Sequence, residues 1–247
     1  VFAAFSTSEQ TNCTANIQSI QMAKATGQDG IQRPETGWQN VKLPDQWDKR
    51  KFHYTGSIWY KIVWDYQCPT TTKKPITIVI SYINMAGQVF INDDLLWQDQ
   101  SLVEPLSRSW NMPRYWSLPS SILKQGENIV WVRVIGVKTQ NSGLGQVLLG
   151  DATEVMPKFQ VFWNQQRVLM FLNLISSLTL GLVAFLVWIF HRKDQLFGWF
   201  TLVTLMWSVV VFNTIMLEAP FGLTTLQIAR ISITCFFAYS LFSCFYA

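Results

Sequence analysis

The run VLMFLNLISSLTLGLVAFLVWIF, residues 168–190, holds 23 residues and no charge. A helix rises ~1.5 Å per residue and the hydrocarbon core of a bilayer is ~30 Å thick, so about 20 apolar residues suffice to cross it. Outward from this run, residues 195–217 form a second uncharged stretch, and 224–247 form a third that is broken only by Arg230. The chain has 19 Lys plus Arg and 15 Asp plus Glu, yet beyond residue 165 only Arg167, Arg192, Lys193, Arg230, Asp194 and Glu218 are charged. Two solvents are implied: water for the first two thirds, lipid for the rest. The net charge of +4 is spread thinly, with no basic run longer than Lys49-Arg50-Lys51, which excludes the electrostatic footprint of a nucleic-acid binder.

The link His191-Arg192-Lys193-Asp194 is too short for anything but a helical hairpin, and it carries the densest positive cluster near any span. The positive-inside rule makes that link cytoplasmic. The segment before the first span then lies outside, which in a bacterium means the periplasm, and the protein sits in the inner membrane. Val1-Phe2-Ala3-Ala4-Phe5 reads like the tail of a signal peptide, so residues 1–14 are set apart as a remnant and N-terminal tail. Cys13 and Cys68 fall in the outer part, Cys235 and Cys244 in the third span. A Cys13–Cys68 disulfide in an oxidising compartment is the economical reading; two free thiols are the alternative.

Residues 15–151 show short runs of strand character. Ile58, Tyr60, Ile62 and Trp64 share one face of a strand whose other face carries Lys61 and Asp65. Pro75 to Ile83 is β-branched, 88–91 and 95–97 flank a turn at Asn92-Asp93-Asp94, and Ile129 to Val137 and Gln146 to Leu149 complete the set. Such spacing predicts a β-sandwich of jelly-roll type, followed by a linker at 152–166 and a transmembrane α-helical bundle at 167–247.

The succession Gly37-Trp38, Val41-Lys42-Leu43-Pro44, Gly56-Ser57-Ile58-Trp59-Tyr60-Lys61, Val89-Phe90-Ile91-Asn92-Asp93 and Gly126-Glu127-Asn128-Ile129-Val130 resembles the galactose-binding-like jelly roll that precedes the barrel of many beta-galactosidases and beta-glucuronidases. With Leu118-Pro119, the segment from Leu144 to Asp151 and the spans attached, the whole resembles bacterial seven-transmembrane receptors with diverse intracellular signalling modules. That resemblance implies a periplasmic sensor domain and a cytoplasmic output, a histidine kinase or a diguanylate cyclase. Three spans are present instead of seven, and no output domain, so the chain itself is expected not to be an enzyme. A membrane-tethered carbohydrate-binding or carbohydrate-processing envelope protein is the alternative.

No dinucleotide fingerprint, phosphate loop or zinc-protease pattern occurs, and two histidines make no metal set, so no cofactor is expected. The acids Asp93, Asp94, Asp99 and Glu104 read as turn and loop residues more than as a hydrolytic pair. The richest stretch for binding is 107–116, where Arg108, Trp110, Asn111, Arg114 and Tyr115 cluster. Aromatic faces stack on sugar rings and a guanidinium holds a carboxylate, so these residues with Trp47 and Trp97 are the candidate site for a small-molecule ligand, a carbohydrate or a carboxylate. The same residues also suit a sandwich core, or a contact with another protein, a second copy in a homodimer, or the outer ends of the helices. Within the membrane, Asn173, Ser176, Ser177 and Asn213 favour helix–helix contacts. Arg230 either reaches the headgroups or pairs with Glu218 to staple the second and third spans.

Overall fold

The computed structural model describes residues 13–27, 30–50, 54–68 and 75–246. The signal-peptide reading of the first residues lies outside them. Among the described residues, twelve strands form an antiparallel β-sandwich: β1 (Thr14–Lys24), β2 (Gln39–Asn40), β3 (Asp45–Gln46), β4 (Gly56–Gln67), β5 (Ile76–Ile80), β6 (Ile83–Asn84), β7 (Ala86–Ile91), β8 (Asp94–Gln98), β9 (Arg114–Leu118), β10 (Gly126–Gly136), β11 (Gly143–Leu144) and β12 (Val147–Gly150). One layer runs β2-β1-β4-β10-β7-β8. The other consists of β12-β5-β9 and β3-β11-β6. Its two parts are tied where Ser81 donates its N–H to the Gln146 carbonyl and Gly145 to that of Tyr82.

Alternation in β4 puts Ile58, Tyr60, Ile62 and Trp64 into the core, each at most 1% exposed, against Val130, Val132 and Val134 of β10 and Ile76, Ile78 and Ile80 of β5. Each fully buried aliphatic of this kind contributes roughly 1.5–3 kcal/mol relative to leaving it exposed. The hairpin β7–β8 turns at Asn92, whose φ is 52°, a left-handed conformation that Asn tolerates. Cys13 and Cys68 form a disulfide at the ends of β1 and β4, beside the paired residues Thr14 and Gln67.

Among the described residues, three helices are long and apolar enough to cross a membrane: Ala152–Phe190, Gln195–Ile215 and Thr225–Tyr246. The first is continuous through the connection at 152–166. It starts as α1 (Ala152–Trp163), capped by the Asp151 carboxylate on the Thr153 N–H, passes through a π-helical turn at Asn164–Val168 and continues as α2 (Leu169–Phe190). The others are α3 (Gln195–Ile215) and α4 (Thr225–Tyr246). Helix α1 packs on β5, β9 and β12, burying Val155. Helix α3 packs against both α2 and α4. Gly181 lets α2 approach Thr204 of α3, since a Cβ there would stand 2.4 Å from the Thr204 hydroxyl. Polar side chains serve the same packing: Trp207 Nε1 donates to Asn173 Oδ1 between α2 and α3, and Asn213 Nδ2 donates to Ser232 between α3 and α4.

Candidate functional site

The segment between β8 and β9, residues 99–113, leaves the sandwich and reaches the outer ends of α3 and α4. Its root is held from within. Asp99, 4% exposed, accepts hydrogen bonds from the Gly87 N–H, the Ser109 hydroxyl and Arg114 Nη2, the last at 3.2 Å as an ion pair. Arg114 also donates to Ser109 Oγ and lies 4.0 Å over the Trp97 ring. Burial pushes the Asp99 carboxyl above its ordinary value, against the hydrogen bond from Ser109 and the charge of Arg114, which pull it down. Leu106, Met85, Ala86 and Ile135 form a small apolar cluster beneath the loop, with Leu102 and Trp110 against it.

The tip of the segment completes two helix ends. A helix leaves its last four carbonyls and first four N–H groups without intrahelical partners. At the C-terminal end of α3, the Thr214 carbonyl accepts from Trp110 Nε1 at 3.1 Å and the Ile215 carbonyl from Arg167 Nη1 at 2.8 Å. Just beyond, the Leu217 carbonyl accepts from the Arg108 N–H at 2.6 Å, while Arg108 Nη1 donates to Asn213 Oδ1 at 2.6 Å. Two guanidinium groups therefore meet the negative end of the α3 dipole. At the start of α4, Glu104 accepts from the Thr225 N–H at 2.7 Å and the Thr225 hydroxyl at 2.8 Å, placing a carboxylate at the positive end of that dipole. Between them, the Ser107 hydroxyl donates to Glu218 at 2.7 Å.

The candidate residues divide accordingly. Arg108 and Trp110 belong to this joint, with the guanidinium 4.4 Å over the indole. Arg114 and Trp97 anchor its root. Asn111 closes the 3-10 turn Ser109–Asn111. Tyr115, half exposed on β9, packs edge-on against Phe159 of α1. Trp47 lies elsewhere: it is 2% exposed in the sandwich core and donates to Tyr60 Oη, so it offers no surface to a ligand. Of the two readings of Arg230, the pairing with Glu218 is corrected, because Glu218 faces Ser107 and Arg230 stands exposed on α4 with no ion pair among the described residues. Glu104 and Arg167 also belong to this joint, and the sequence reading did not assign them to it; their partners lie 121 and 48 positions away. Among the described residues, no group of three His, Cys, Asp or Glu could hold a metal ion.

No family model and no curated protein matches the chain. Among solved structures, it is similar to a glycosyl hydrolase family 2 member from Bacteroides cellulosilyticus (15% identity, TM-score 0.42, covering 55% of this chain and 20% of that one). A beta-glucuronidase from an uncultured Clostridium sp. matches at 11% identity and TM-score 0.37, covering 50% of this chain and 22% of that one. A beta-D-mannosidase from Dictyoglomus thermophilum matches at 10% identity and TM-score 0.34, covering 50% and 15%. The chain thus spans about a fifth of the length of the solved structures it matches.

Proposed function

We propose that this chain is the sensory and membrane portion of a bacterial signal-transduction receptor, with the sandwich in the periplasm, the spans in the inner membrane and a cytoplasmic output attached to the bundle. A sensor histidine kinase is the output proposed first and a diguanylate cyclase second; the chain itself performs no catalysis. The observation that carries the reading is the joint. A tether needs only a linker, whereas here one segment of the sandwich supplies the end groups of both α3 and α4, and α1 runs from the sandwich into α2 without a break. A ligand that binds two arrangements of the sandwich unequally must then shift the helix ends with it. The second reading, a tethered carbohydrate-binding envelope protein, shares the pocket on the sandwich flank and dispenses with an output.

The coding sequence downstream of the Ala247 codon provides the test. Further spans followed by a phosphotransfer or nucleotide-cyclase module uphold the receptor, whereas a stop codon or a soluble hydrolase domain overturns it. In the full gene product, a flexible Gly-Ser insertion after Asp151 should abolish the response of the output to ligand, and an unchanged response removes the coupling.

A further inference from the structure

We infer that the flank of the sandwich beside β1 and β3 is a binding site for a carboxylate-bearing saccharide. A pocket of about 620 Å³ opens there, within the ~300–1,000 Å³ of small-molecule sites. Three of its lining residues are cationic, Lys42, Lys49 and Arg50, and one is acidic, Asp45. Asp45 is committed inward: it is 3% exposed, accepts from Tyr60 Oη at 2.7 Å and pairs with Arg50 Nε at 2.7 Å. Burial and the neighbouring Asp45 raise the Tyr60 hydroxyl well above its ordinary pKa, so it remains a donor, and its oxygen accepts in turn from Trp47 Nε1. The chain Trp47 to Tyr60 to Asp45 thus runs from the core to the pocket wall and fixes Arg50 through its Nε alone. The two terminal nitrogens of that guanidinium keep the fork geometry that matches a carboxylate.

Four uncharged polar residues share the lining with the apolar Ile20, Val41 and Pro44. The β1–β4 register slips between Ile17 and Ser19, leaving Gln18 as the extra residue of a bulge, a device that re-aims side chains next to sites. Gln18, Ser19, Asn40 and Gln46 all line the pocket. Amides and a hydroxyl donate and accept at once, as sugar hydroxyls require. With Arg50 paired to Asp45, the lining still carries the positive charge of Lys42 and Lys49, which favours an anion, and its amides and hydroxyl suit a polyol that carries it. Gly143 makes the arrangement possible, because a Cβ there would stand 2.1 Å from the Asp45 carbonyl and push β3 away.

The inference deepens the receptor reading and rests on it for its biological meaning, but binding is measured on the chain alone. Calorimetric titration of the full chain in lipid nanodiscs would use D-galacturonate, with D-galactose as the neutral counterpart. The expected result is binding of galacturonate at least tenfold tighter than galactose, weakened at least tenfold by Arg50→Lys and by the exposed pair Lys42→Gln/Lys49→Gln. The double variant guards against misfolding in the first. Absent binding, equal affinity in the Lys variant, or equal displacement by acetate overturns the assignment. Each of those outcomes leaves the joint and its coupling to be judged separately by the Asp151 insertion.

Discussion

Arg108 is 3% exposed, and its partners are an amide oxygen and an indole ring rather than a carboxylate. Burial pushes its pKa down to about 10, so it stays charged at neutral pH. Replacing Arg108 by Met leaves Asn213 Oδ1 without its strongest donor and should cost ~1–3 kcal/mol. Replacing Asn213 by Leu strands a buried guanidinium and should cost more. Thermal unfolding of the single and double variants in detergent should show the double losing clearly less than the sum; strict additivity would mean that the pair is not coupled. Asp99 gives the pH counterpart. Its folded-state pKa lies above its ordinary value of 3.8, so between those two values the folded state holds more protons than the unfolded one, and stability falls as pH rises through that window. Asp99→Asn should remove this part of the slope, read as the difference between the two melting profiles from pH 4 upward.

Strand β4 is legible because every second residue from Ile58 to Trp64 is apolar and buried. Strand β1 is longer than most and escapes the same test. Ala15 packs inward at one parity and Ile20 and Met22 at the other, because the bulge at Gln18 shifts the phase midway. The connection at 152–166 is equally hard to read: Pro157 sits inside α1 and the helix widens at Asn164–Val168, which lets Arg167 reach the end of α3. The disulfide is legible from compartment alone and makes an element-scale prediction. It closes a separation of 55 residues between the starts and ends of two paired strands. Cys13→Ser/Cys68→Ser should lower unfolding stability by ~2–4 kcal/mol, and a variant melting like the parent would show that the β1–β4 ladder holds without it.

At the scale of the molecule, the contacts of residues 104–110 with 213–225 span more than a hundred positions, and no local pattern announces such a joint. Its geometry nevertheless fixes the direction of the helices. The sandwich holds the C-terminal end of α3 and the N-terminal end of α4, while the link between α2 and α3, residues 191–194, stands at the opposite ends of those helices. With 22 residues in α2 and 21 in α3, the separation is ~30 Å, one bilayer core. Sandwich and hairpin therefore face different compartments whenever the helices span. Arg192 and Lys193 give that hairpin its sign, with Arg192 lying 4.6 Å over the Trp188 ring at the end of α2. In intact cells carrying a Cys235→Ser/Cys244→Ser background, a membrane-impermeant maleimide should label Asp94→Cys on the sandwich hairpin and leave Lys193→Cys unlabelled until the membrane is opened. The reverse pattern would turn the molecule over and place the sandwich, with its disulfide, in the reducing compartment, a contradiction that the positive-inside argument could not survive.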